Sequence, residues 1–193
     1  MKKTLLSIVF VAISFAAVSQ TSLGVWNNKT ATYSNAEHKI TWQLVDNLEW
    51  VERPILTKST LLKVRNYDTE LLVSLGANEY NSSDFVDSWD YLSEIEIQQK
   101  ELFKQLSEQA GMEYVKTEAT KSQLCGIHAI KIRSDSRAYN PESGQTIHYI
   151  EITYGLFRRG YIYTVSVAVF VLEEDIADFD RIATMIFNGF KIS

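Results

Sequence analysis

Cysteine is almost missing from this chain: 193 residues hold one thiol, Cys125. No internal disulfide can form, so stability has to come from packing. A basic surplus is missing too, since 19 Lys and Arg face 24 Asp and Glu for a formal charge of −5. An acidic balance argues against a nucleic-acid partner and against attraction to anionic lipid. The apolar run from Leu5 to Val18 is shorter than the roughly 20 residues a membrane-spanning helix needs. Gly-x-Ser-x-Gly, a phosphate loop and His-Glu-x-x-His are all absent. Without a catalytic motif the expectation is a protein that is not an enzyme and uses no cofactor or metal.

What is present begins with an address. Met1-Lys2-Lys3-Thr4 leads into that apolar run, and Ala17 and Ser19 are the small residues that signal peptidase requires, which predicts a signal peptide over residues 1–19 cleaved near Ser19/Gln20. Ser19, Gln20 and Thr21 supply no cysteine for lipid attachment. The expected product is a released extracytoplasmic protein, periplasmic or secreted, with no stable membrane insertion. Removing 19 of 193 residues leaves 174, enough for one domain, and without Lys2 and Lys3 the charge falls to −7.

Residues 20–37 are polar and predict a loosely ordered arm, followed by a single α+β domain over 38–193. Ile40, Trp42 and Leu44 alternate with polar neighbours and predict a strand over Lys39–Val45. Thr60–Arg65 and Glu70–Gly76 flank Asn66-Tyr67-Asp68-Thr69 and predict an antiparallel pair. A long helix is expected from an N-cap at Ser82 or Ser83, through first-turn acids Asp84 and Asp87, to Gly111, with Phe85, Trp89, Leu92, Ile95, Leu102, Phe103, Leu106 and Ala110 on one face. Four strands follow: Glu113–Thr120, Leu124–Arg133, Thr146–Phe157 and Tyr161–Val171. The last two turn at Arg158-Arg159-Gly160. A second helix carries Ile176, Phe179, Ile182, Ala183, Ile186 and Phe187, stops at Asn188-Gly189 and yields to a strand, Phe190–Ile192.

This order, with Leu124-Cys125-Gly126-Ile127-His128-Ala129, the Tyr149–Val169 hairpin, Phe179 and Asn188-Gly189-Phe190-Lys191-Ile192, resembles the PsbP-like and DcrB-like proteins, whose fold is shared with a Ran-binding nuclear import factor. Asp46-Asn47-Leu48-Glu49-Trp50 departs from the family in keeping the tryptophan of its Pro-x-x-Trp turn without the proline. The resemblance implies an antiparallel sheet with a long central helix and a C-terminal helix, an α/β/α sandwich, and an accessory or binding role. It carries over no catalytic residue.

Four groupings offer chemistry. Cys125 and His128 form a thiol and imidazole pair, but residues three apart on a regular strand point to opposite faces, which favours a buried cysteine and a packed histidine unless Gly126 bulges. His128 and His148 on neighbouring strands, with Glu151, would make two imidazoles and a carboxylate, short of a zinc ligand set when His38 sits before the first strand. Asp87, Asp90, Glu94 and Glu173-Glu174-Asp175 fall at helix starts, where carboxylates favour the dipole. Tyr139, Tyr149, Tyr154, Phe157, Tyr161 and Tyr163 surround one hairpin whose tip carries Arg158 and Arg159, and Tyr with Arg are favoured interface anchors. Arg158, Arg159, Tyr154, Phe157 and Tyr161 are therefore the candidate binding residues for another envelope protein. The rival expectation is a carrier or sensor of a small apolar or aromatic ligand between sheet and long helix.

Overall fold

A computed structural model describes residues 24–53, 55, 57, 59–80 and 87–193. The signal peptide expected over 1–19, the start of the arm, Pro54 and the helix start expected at Ser82, Ser83, Asp84 and Phe85 lie outside the described residues. Strands β1 (Val25–Asn27), β2 (Thr32–Asn35) and β3 (Ile40–Gln43) open the chain, followed by β4 (Val51–Glu52), β5 (Thr60–Arg65) and β6 (Leu72–Glu79). Helix α1 (Leu92–Gln109), strands β7 (Glu113–Leu124), β8 (Ile127–Asn140), β9 (Gln145–Arg158) and β10 (Tyr161–Leu172), helix α2 (Ile176–Asn188) and strand β11 (Phe190–Ile192) complete it. A seven-stranded antiparallel sheet runs β4-β5-β6-β10-β9-β8-β7, and a four-stranded sheet runs β1-β2-β3-β11. The protein is an α+β sandwich with α1 on one face of the large sheet and α2 with the small sheet on the other.

Period-two alternation explains the division of labour between the faces. On β10, Tyr163, Val165, Val167 and Val169 point into the main core, where they meet Trp42 and Phe190 of the small sheet and Phe179, Ala183 and Ile186 of α2. The heavier face of this hairpin is the buried one, as expected. Ile162 on the opposite face joins Ile95, Ile130 and Ile132 in a smaller cluster under α1.

Three expectations need correction. Residues 24–37 are not a loose arm: Ala31, Tyr33 and Asn35 are buried at alternate positions, and β2 pairs with β3 from Thr32 opposite Gln43 to Asn35 opposite Ile40. Their polar neighbours face solvent, so mean composition concealed a half-buried strand. The strand expected over Leu124–Arg133 is interrupted at its start, because Cys125 and Gly126, with φ of 53° and 76°, form the two-residue turn joining β7 to β8. Positive φ at both central residues is a hairpin signal usually announced by Asn-Gly or Asp-Gly, which Cys-Gly disguises. Finally, the long helix enters through a 3₁₀ turn over Ser88–Tyr91, whose N-cap is Asp87, and its buried contacts are made by Ile95, Phe103 and Ser107, while Leu106 stands half exposed and Ala110 exposed. The expected stripe is wider than the strip of sheet α1 covers, since α1 leans chiefly on β7 and less on β8.

His38 fastens the small sheet to the large one. Its ring is buried, its Nδ1 lies 3.0 Å from the Tyr163 hydroxyl, and it meets Tyr161 edge-on at 4.7 Å. Burial holds its pKa below the ordinary value, against a smaller upward pull from Glu37. Protonation therefore favours the unfolded chain, and this contribution to stability is lost as pH falls below about 6.5. Urea unfolding is expected to show a steeper loss of stability between pH 7 and pH 5 in the wild type than in His38→Gln; equal slopes would remove His38 as the cause.

Candidate functional site

Part of the large-sheet face on the α1 side, next to the isoleucine cluster, is polar where a sandwich normally packs apolar side chains. Register sets the rows. Ser74, Ser166, Thr153 and Ile132 lie side by side across β6, β10, β9 and β8, and Leu72, Ala168, Glu151 and Ser134 form the next row. One row the other way, Gly76 and Gly155 flank Thr164, so two positions carry no side chain and the floor is hollow. A Cβ on Gly76 would lie 2.5 Å from Thr164 Oγ1. With α1 packed chiefly on β7, Gln99, Leu102, Phe103 and Leu106 form a wall beside this floor and enclose a groove of about 250 Å³.

Glu151 is the one carboxylate lining it. Thr153 Oγ1 donates to Glu151 Oε1 at 3.2 Å, the Tyr149 hydroxyl is its second hydrogen-bond partner, and Thr153 Oγ1 is 2.7 Å from Ser166 Oγ. Among the described residues no Lys or Arg pairs with it. Burial raises its pKa, opposed by the bonds from Thr153 and Tyr149. Tyr149, stacked on Phe103 with ring centroids 6.0 Å apart, is itself raised well above the ordinary phenol, by burial first and then by the Glu151 charge.

The groupings read from the sequence are separated by the fold. Cys125 sits exposed at its turn with Sγ donating to Phe190 O at 2.8 Å, and burial of the sulfur pushes its thiol up, so it is neither a buried hydrophobe nor a primed nucleophile. His128 points the other way and stacks on Trp89 at 3.5 Å, with Nδ1 2.8 Å from Asp87 Oδ2. Partial burial pushes the Asp87 carboxyl up, but the Trp89 backbone N–H, His128 and Lys121 together hold it below the usual range. His148 does not face His128: it lies opposite Arg137, on the other face of the sheet, 3.0 Å from buried Asp135.

The hairpin aromatics also part company. Tyr154 packs on Phe187 of α2, whereas Phe157 meets Tyr80 and Tyr91 on the α1 face. Tyr161 and Tyr163 close on His38, Tyr149 lies under α1, and Tyr139 is exposed far from the tip. Arg158 and Arg159 do stand exposed at the tip, where Arg159 and Gly160 take positive φ. The rival expectation of a ligand between sheet and long helix falls on this groove, but the polar residues of its floor were not among those named for it. The signal was on the lighter face: Ser74, Glu151, Thr153, Thr164 and Ser166 repeat at period two in strands otherwise rich in Val and Ile.

The fold and groove define an antiparallel α/β/α sandwich with one partly uncovered sheet face. No family model matches the chain, and no curated protein sequence matches it. Solved structures do. The solution structure of cyanobacterial PsbP (CyanoP) from Synechocystis sp. PCC 6803 is similar at 11% identity and a TM-score of 0.49, covering 93% of this chain and 99% of that one. LpqN of Mycobacterium tuberculosis, described as involved in cell envelope biogenesis, is similar at 10% identity and 0.46, covering 80% and 83%. The Saccharomyces cerevisiae Ran-binding protein Mog1p is similar at 11% and 0.47, covering 87% and 96%. The antiparallel sheet with a long helix and a C-terminal helix expected from the sequence is present in this structure itself.

Proposed function

We propose that this chain is an exported, non-enzymatic binding protein that holds a small amphipathic ligand in the groove between α1 and the large sheet. The observation that carries the reading is the pairing of a hydroxyl-and-carboxylate floor with an apolar helix wall, the composition of ligand pockets that combine apolar lining with a few placed polar groups. Its volume suits a ligand at the small end of that class. Among the described lining residues there is one carboxylate and no imidazole or thiol, which supports holding rather than turnover. Export is supported by the signal-like residues 1–19, and among the described residues no helix is long and apolar enough to cross a membrane. The hairpin tip supports docking of an envelope protein less well, because only Arg158 and Arg159 of its five candidate residues stand together in solvent.

Native mass spectrometry of the protein recovered from its own cells tests this. A bound small molecule is expected in the wild type and its loss, by at least about tenfold in occupancy, in Ser74→Phe, which places a ring on the groove floor at a β-compatible position. An unliganded wild type, or equal occupancy in a folded Ser74→Phe, would overturn the assignment.

A further inference from the structure

Resting on the groove as a ligand site, we infer that the ligand's buried head is a protonated amine seated on Glu151, with its apolar body against Leu102, Phe103 and Leu106. An enclosed carboxylate is costly unless it is paired, and this one has hydroxyl partners but no cation among the described residues. Thr153 and Tyr149 occupy two of the roughly four lone-pair positions of a carboxylate, which leaves acceptor capacity directed at the groove. An ammonium group has three donors and no acceptor. One reaches Glu151, and the hydroxyls of Ser166, Thr164 and Ser74, all lining the same groove, are available to accept the rest. A carboxylate or phosphate head would place like charge beside Glu151, and a neutral head would leave the carboxylate without its counter-charge.

The charges around Glu151 do not supply that counter-ion. From β9 it faces Tyr149, while β10 and β8 present Ser166, Thr164 and Ile132, and α1 presents Gln99, Leu102, Phe103 and Leu106. The cations on the same face, Arg53, Lys63 and Arg65, line a separate hollow at the β5 margin, where Arg65 is already bonded to Glu70. Burial favours a proton on the empty carboxyl, so an incoming ammonium displaces that proton and amine affinity falls as pH is lowered from 8 towards 5.

Calorimetric titration of the whole protein with phenethylamine, 2-phenylethanol and 3-phenylpropanoate, near-isosteric probes of three charges, tests the assignment. At pH 8 the amine is expected to bind at least about tenfold tighter than the alcohol and the acid. Glu151→Gln should abolish that preference, and its thermal midpoint should not fall, because the substitution removes a half-buried charge but keeps the shape. Ser74→Phe should bind none of the probes. Equal binding of amine and alcohol by the wild type, or an amine preference that survives Glu151→Gln, overturns the amine head and leaves the groove standing; no binding of any probe by the wild type overturns both.

Discussion

Gly189→Ala is expected to cost about 3 kcal/mol or more, at the upper end of what one added methyl does in a packed site. A Cβ at this position would lie 1.8 Å from Gln43 O and 3.0 Å from Gln43 C, both backbone atoms of β3 that cannot rotate aside. The residue joins α2 to β11, and Gln43 N–H donates to Gly189 O at 3.1 Å. Its φ of −76° is open to any residue, so the helix-stop role expected of Asn188-Gly189, a left-handed glycine cap, is not what requires glycine here. Close approach is. An alanine can be accommodated only by moving β11 away from β3, which breaks the pairing of Phe190 with Trp42 and of Ile192 with Ile40 and withdraws two buried side chains. Urea denaturation should show a lower midpoint with little change in slope, and a loss under about 1 kcal/mol would mean that the two strands separate at little cost.

Sequence legibility followed the strength of local periodicity. The α2 residues Phe179, Ala183, Ile186 and Phe187 are buried as their spacing implies, and the β9–β10 hairpin turns where Arg159-Gly160 predicts. Both elements state their inward face locally. The small sheet does not: β2 has only Tyr33 and Asn35, with Ala31 just before it, to mark its buried side, and the pairing of β3 with β11 across some 150 residues of chain leaves no local trace. The groove was hidden for a different reason. Its floor is formed by residues from five strands, and its width is set by where α1 comes to rest, a tertiary quantity that no spacing encodes. Glu151 was visible as a candidate ligand with His148, yet the two lie three residues apart on β9 and point to opposite faces, and its partners proved to be Thr153 and Tyr149.

Trp42→Ala is expected to cost about 3–5 kcal/mol and Trp42→Phe about 1–2 kcal/mol, the difference separating lost volume from a lost hydrogen bond. Trp42 is fully buried, meets Phe190 edge to face at 5.4 Å, and donates from Nε1 to Ile186 O at 2.8 Å, so one side chain of β3 holds both β11 and the end of α2. Phenylalanine keeps much of the apolar contact but leaves Ile186 O with the Gly189 N–H alone. Because Trp42 and Gly189 both act by seating β11, Trp42→Phe combined with Gly189→Ala should lose less than the sum of the two, a shortfall that a double-mutant cycle measures directly. Additive losses would mean that the two sites act independently. Trp42 lies on the face of the large sheet opposite the groove, so Trp42→Phe should lower the unfolding midpoint and leave phenethylamine binding at pH 8 unchanged. A parallel loss of binding would show that the groove depends on the packing of the opposite face.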